Sequence, residues 1–279
     1  LALTMALSLA ACGNSGGSSS SAPADASGSS SQANSSTSSS SANTESDLAY
    51  VQNKGTLVVG ITEFEPMDYQ NTDGEWIGFD ADLAKEFAES LGVTVEFQLI
   101  DWDNKVMELD GKTIDVVWNG MTLTEDVLAA MECSQPYLIN QQVVVVPADV
   151  AEDYQTEESL ADLNFAVEIG SAGCEVAQAN GYSYTEVADQ ATALLEVASG
   201  TADAAIIDSL MAGAMIGEGT SYADMTSTVA LTSEEYGVGF RKGSDLAATL
   251  NEFLSGKYAD GSIQTLAETY GVQDALVQE

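Results

Sequence analysis

The sequence predicts an α/β protein built on mainly parallel sheets. Three observations carry that expectation. From about Asp47 onward, short apolar strand patterns alternate with helical ones. Most strand patterns end in loops or turns, several of them opening a helix. Hydrophobic residues make up 45% of the chain, enough for a real core.

Thr56–Ile61 (TLVVGI) has the pattern of a buried strand. Residues 79–91 (FDADLAKEFAESL) place Leu83, Phe87 and Leu91 four apart, along one face of a helix. Residues 93–100 (VTVEFQLI) alternate as a strand, and 114–118 (IDVVW) and Gln142–Pro147 (QVVVVP) add two more. Residues 165–169, a helix from about Cys174, and residues 204–207 continue the rhythm. Ligands of open α/β sheets gather at the carboxyl ends of strands. Segments 62–66, 101–104, 119–124, 170–174 and 208–210 are therefore placed to assemble one site.

Charge narrows the function. Seven Lys and Arg stand against 44 Asp and Glu, a formal net charge of −37, and there is no histidine among the 279 residues. Such acidity works against nucleic acid or an anionic lipid surface, which need Lys and Arg to neutralise phosphate. It is compatible with attracting cationic solutes, and equally with a role in solubility alone. The missing histidine removes Ser-His and Cys-His nucleophiles and His-based zinc sites, and no metal or cofactor is expected.

Residues 1–11 (LALTMALSLAA) are apolar and too short for a permanent membrane span, as in a truncated signal peptide. They lead into Leu-Ala-Ala-Cys-Gly at 9–13, which resembles the lipobox of bacterial lipoproteins, with Cys12 the lipidated residue. Residues 13–46 are Ser, Gly, Ala, Asn and Thr with little that is apolar, the composition of a disordered tether. The expectation is an extracytoplasmic protein, lipid-anchored to the outer face of the cell membrane.

Four further segments carry a resemblance. Residues 75–83 (EWIGFDADL), 111–116 (GKTIDV), 199–208 (SGTADAAIID) and 236–243 (YGVGFRKG) resemble, in order and spacing, motifs of the family 3 extracellular solute-binding proteins. These are the amino-acid receptors of ABC importers. The resemblance implies a two-lobed, periplasmic-binding-protein-like (type II) fold that closes over a solute. Lobe one is expected at 47–140 and 232–279, and lobe two at 141–231.

It also implies a site. Phe64 and Trp102 match positions whose large side chains pack on the solute, and aromatic faces attract cations by about 0.5–2 kcal/mol. Asp208 matches the aspartate that accepts from the ligand amino group; its alternative is a helix N-cap. Asn119, Gly120 and Thr122 match positions offering hydroxyl and backbone groups. Gly170, Ser171 and Ala172 match a turn whose backbone N–H groups hold a carboxylate. Glu168 adds a further carboxylate, and Glu63 and Glu65 lie close by in sequence.

One departure stands out. Val127 occupies the place of the arginine that grips the ligand carboxylate in a bidentate fork, and the chain's single arginine, Arg241, lies in a segment the family places away from the cleft. Among the lysines, Lys105 alone falls near the implied site. The site is therefore expected to favour a solute with ammonium groups and little negative charge, against the alternative of a plain amino acid held by backbone amides. Cys133 and Cys174 are expected as free, buried thiols.

The implied function is capture of an amino acid or amine-containing derivative for an ABC permease by a monomer that is not an enzyme. The alternatives are a dehydratase or lyase on the same fold and a ligand-sensing surface lipoprotein.

Overall fold

The computed structural model describes residues 46–278. Cys12, the motif at 9–13 and the serine-rich segment as far as residue 45 lie outside the described residues. Ser46, assigned above to the end of the tether, caps the first helix: its Oγ accepts from the Ala49 N–H at 3.0 Å. The chain then runs α1 (Asp47–Lys54), β1 (Thr56–Ile61), β2 (Tyr69–Gln70), β3 (Trp76–Ile77), α2 (Phe79–Ser90), β4 (Thr94–Leu99) and α3 (Lys105–Asp110). Next come β5 (Val116–Thr122), α4 (Glu125–Ala130), β6 (Glu132–Cys133), β7 (Leu138–Asn140), β8 (Gln142–Pro147), β9 (Asn164–Glu168), α5 (Ala172–Asn180) and β10 (Ser183–Val187). It finishes with α6 (Gln190–Ser199), β11 (Ala204–Asp208), α7 (Ser209–Met215), β12 (Met225–Ala230), β13 (Glu234–Phe240), α8 (Leu246–Asp260) and α9 (Ser262–Tyr270).

Two large sheets result. The first has the order β4-β1-β5-β13-β6, with β7 also on β13; the second is β10-β9-β11-β8-β12. Each contains the parallel block that βα alternation predicts, β4-β1-β5 in one and β10-β9-β11 in the other. Each is then extended by antiparallel strands, so both sheets are mixed rather than mainly parallel. Connectivity is the reason. The chain passes from β7 to β8 through Gln141 and returns from β12 to β13 through residues 231–233. A strand that arrives directly from the other sheet, with no helix to carry it back, starts at the end where the parallel strands finish and runs against them.

Periodicity explains the packing. Leu83 and Phe87, one turn apart on α2, bury completely against Leu57, Val59 and Ile61 of β1 and Trp118 of β5. Each such side chain contributes about 1.5–3 kcal/mol when removed from water. The second sheet packs Val144, Val146, Phe165, Val167 and Ile206 into a core of its own. Arg241 is buried away from the gap between the sheets. Its Nε donates to both oxygens of Asp47 at 3.1 and 3.0 Å, and its Nη1 donates to the Leu109 and Ile114 carbonyls at 3.2 and 2.8 Å, tying α1 to the sheet. Cys133 and Cys174 are unpaired; Cys174 is buried as expected, whereas Cys133 is half-buried because β6 lies at the sheet edge.

The Gly-Phe-Asp motif has a structural purpose. Asp80 is fully buried, and its Oδ2 accepts from the Gly120 N–H at 2.7 Å while both its oxygens lie 2.8 Å from the Tyr137 hydroxyl. Burial pushes its pKa up to about 6, and Asp68, buried beside it, is raised by burial and by Asp80. Asp80→Ala would orphan the Gly120 N–H and the Tyr137 hydroxyl, so it should destabilise the protein by about 2–4 kcal/mol. Urea unfolding checks this; a loss below about 1 kcal/mol would show that Asp80 does not hold β5.

Candidate functional site

All six parallel strands finish at the gap between the sheets. β1 leads to Thr62 and Phe64, β4 to Trp102 and Lys105, and β5 itself carries Asn119, Gly120 and Thr122. From the other side β9 delivers Glu168, Gly170, Ser171 and Ala172, β10 is followed by Gln190, and β11 ends on Asp208. They enclose a cavity of about 280 Å³ whose lining includes all ten residues expected at the site, the nine that the resemblance implies and Glu168. Glu63 and Glu65 are not part of that lining.

Placement in the lining does not make every group available. Asn119 is buried and spends its amide on the protein: Oδ1 accepts from the Thr62 N–H and hydroxyl at 2.9 and 2.8 Å, while Nδ2 donates to Thr62 O at 3.1 Å and Asp68 Oδ2 at 2.8 Å. The Gly120 N–H is taken by Asp80, and the Thr122 hydroxyl donates to Glu234 Oε1 at 2.8 Å. The expectation that these three residues offer polar groups to a solute is corrected in that respect, because each of these groups is already bonded within the protein. Asn119 is bonded to Thr62 and Asp68, Gly120 to Asp80 of α2 and Thr122 to Glu234 of β13. Strand β5 also runs through Thr122, where the sequence pattern stops at Trp118. The strand accommodates Gly120 at φ 57°, where an added Cβ would come within 2.6 Å of the Phe64 ring.

Asp208 settles the choice between cap and pocket wall. It occupies the N-cap position of α7, yet its side chain makes no capping hydrogen bond. The carboxylate turns into the gap instead. Oδ1 accepts from Asn140 Nδ2 and, at 2.7 Å, from Gln142 Nε2; Oδ2 accepts from Gln190 Nε2, and Gln190 Oε1 takes the Asp208 N–H at 2.8 Å. Glu234 Oε1 accepts from the same Asn140 and Gln142 amides, each at 2.8 Å. Asn140 and Gln142 flank one crossing between the sheets, and Glu234 ends the other. Asn140, Gln142, Gln190 and Glu234 belong to no motif in the sequence, and their role exists only in three dimensions.

The cavity is acidic on both sides. Asp103 and Asp126 come from the first sheet's side, and Glu168, Glu175 and Asp208 from the second. Burial, then the nearby Glu234, pushes Asp208 up to about 7, and burial, then Asp208 and Asp189, pushes Glu168 up to about 8. Glu168 is only 3% exposed, and its Oε1 has no hydrogen-bond partner among the described residues. Glu175 is raised by burial and next by Asp126 across the gap. Lys105 is the one basic side chain in the described lining. Val127, expected from the resemblance to stand where the family has an arginine, is 8% exposed and packs with Trp102, Met121 and Met131 as a small apolar core.

Helix α5 begins at Ala172, two residues earlier than the sequence pattern places it, because Ser171 caps it by accepting the Cys174 N–H at 3.1 Å. Gly170, at φ 69°, lies so close to the other side of the gap that an added Cβ would sit 2.9 Å from the Asp103 Cα. The two halves therefore meet backbone to backbone at this turn, which only glycine permits.

The raised carboxylates carry a sign. Folded Asp208 and Glu168 keep their protons up to about 7 and about 8, whereas unfolded carboxylates release theirs near pH ~4. Their contribution to stability is complete below about pH 4 and is lost as pH rises through 7 to 8. Urea midpoints of ligand-free protein should therefore fall between about pH 5 and 8.5, and Glu168→Gln should flatten that slope. A variant with the wild-type slope would show that Glu168 is ionised throughout.

Comparison with known proteins agrees with this architecture. The L-cystine-binding protein TcyJ of Escherichia coli (strain K12) is 29% identical over 230 residues, covering 81% of this chain and 86% of TcyJ. A histidine-bound substrate-binding protein of an ABC uptake transporter from Streptococcus pneumoniae superposes with a TM-score of 0.76 at 28% identity, covering 84% of this chain and 99% of that one. A more distant relative, the cyclohexadienyl dehydratase of Pseudomonas aeruginosa, is 25% identical over 173 residues, 60% of this chain and 65% of the enzyme. The fold is that of the type II periplasmic binding proteins. The model of the bacterial extracellular solute-binding proteins, family 3, matches residues 57–273, and the chain belongs to that family.

Proposed function

We propose that the protein captures a small solute bearing an ammonium group and little negative charge, an amino acid or amidated amino acid, and delivers it to the permease of an ABC importer. One observation carries this reading: the closed gap brings carboxylates from both sides together, Asp103 and Asp126 facing Glu168, Glu175 and Asp208, while Val127 stands where a carboxylate-gripping arginine is expected. Like charges brought together in a partly dry cavity repel. A solute cation placed among them turns that repulsion into attraction, so closure depends on a cation. Glu168 Oε1, which has no partner among the described residues, and the Asp208 carboxylate, whose Oδ2 also accepts from Gln190 Nε2, are the acceptors for its N–H groups, and Phe64 supplies an apolar wall.

A solute carboxylate, if present, falls to the N–H groups at the start of α5 near Ala172. Attachment through Cys12, with residues 13–45 as spacer, accounts for the sequence at the amino end, and the bound form works as a monomer. A second reading, turnover on the same fold, draws on the two carboxylates held near neutrality, where general acids and bases operate.

Native mass spectrometry of protein purified without refolding, followed by calorimetry with amino acids and their amides, tests the proposal; recovery of unchanged solute separates capture from turnover. Asp208→Asn should weaken binding of an amino-acid amide by about a hundredfold, the range for a buried charge-assisted pair. Undiminished affinity would remove Asp208 from the site. Val127→Arg should restore a carboxylate grip and strengthen binding of free amino acids relative to their amides. A weaker preference for the free acids would show that position 127 does not face the solute carboxylate.

A further inference from the structure

The cavity holds one basic side chain, and its position is unusual. Lys105 starts α3 on the first sheet's side, yet it is only 8% exposed. Its ammonium donates to Trp102 O on its own side at 3.2 Å and to Gly170 O on the opposite side at 3.0 Å. The same nitrogen lies 4.8 Å from the centroid of the Trp102 ring. The charged groups facing it are Glu168, Asp103 and Glu175. Burial lowers the Lys105 pKa, and these three carboxylates oppose that change.

A lysine with only carbonyls, an aromatic face and carboxylates around it has the surroundings of a bound ligand cation. We propose that Lys105 is the specificity-determining residue for solute charge: it is a built-in cation that bridges the two lobes and holds the place a second solute ammonium would take. The Trp102 face that sequence assigns to the solute is covered by this side chain. A solute is left the Asp208 end, where no other basic side chain of the described residues lines the cavity. A solute with one positive charge fits beside Lys105, and a solute with two meets an ammonium already seated.

This rests on the reading of the cavity as an amine site, and the test separates the two. Affinities of L-leucinamide, with one charge, and L-lysinamide, with two, are measured by calorimetry at pH 7 for the wild type, Lys105→Met and Lys105→Arg. The wild type and Lys105→Arg should prefer L-leucinamide. Lys105→Met keeps the stem and removes the charge, so the ratio of affinities should move at least about tenfold towards L-lysinamide, as expected for deleting a charge a few ångströms from the second ammonium. A purely structural lysine would change both affinities by the same factor, and an unmoved ratio overturns the proposal. If Lys105→Met unfolds, Lys105→Gln is read in the same way. Asp208→Asn serves as the control. Loss of L-leucinamide binding there with an unmoved Lys105→Met ratio sinks the selectivity role alone. Retention of binding in Asp208→Asn, or no binding of either amide to any form, sinks both readings.

Discussion

Two carboxylates that should repel are held together at the junction of the lobes. Asp208, at the end of β11, and Glu234, at the start of β13, share the side-chain amides of Asn140 and Gln142. Thr122 and Thr232 complete the set on Glu234, at 2.8 and 3.1 Å. Both crossings of the chain and the wall of the cavity thus meet in one hydrogen-bonded node. A buried polar network tolerates such charge only when its members are satisfied. The amides do that, and they join Asp208 to both crossings of the chain.

In this arrangement Asp126 faces Glu175 across the gap, Lys105 reaches the Gly170 carbonyl, and negative charge is concentrated around about 280 Å³. Protons and cations are alternative ways to relieve that concentration. Burial favours the protonated forms of Asp208 and Glu168, the first of these two ways. On the proposed reading, the same acidity that looks like a solubility device in composition becomes, inside the cleft, a selection rule for the solute.

Within the fold, polar residues divide into those that build the cleft and those that face it. Asn119 looks like a site residue because it lies near a strand end, yet its amide is consumed by Thr62 and Asp68. Asp80, in the first turn of α2, holds β5 through the Gly120 N–H and accepts from Tyr137. Motifs of this kind mark where a site is, since strand ends must be held rigid for the cleft to keep its shape. They do not mark which atoms are left free for a solute.

The amino-acid sequence by itself determined the βα units, the class of fold, which strand ends border the site and the absence of any arginine from residues 119–131. These follow from local periodicity and from motifs a few residues long, and each is written into neighbouring side chains. Only the tertiary structure decided the antiparallel strands that the crossings create, the turning of Asp208 away from its helix, and the node of Asn140, Gln142, Gln190 and Glu234. It alone placed Lys105 across the gap on Gly170. Those arrangements join residues dozens of positions apart, and their energies come from burial and charge that no local stretch of chain contains.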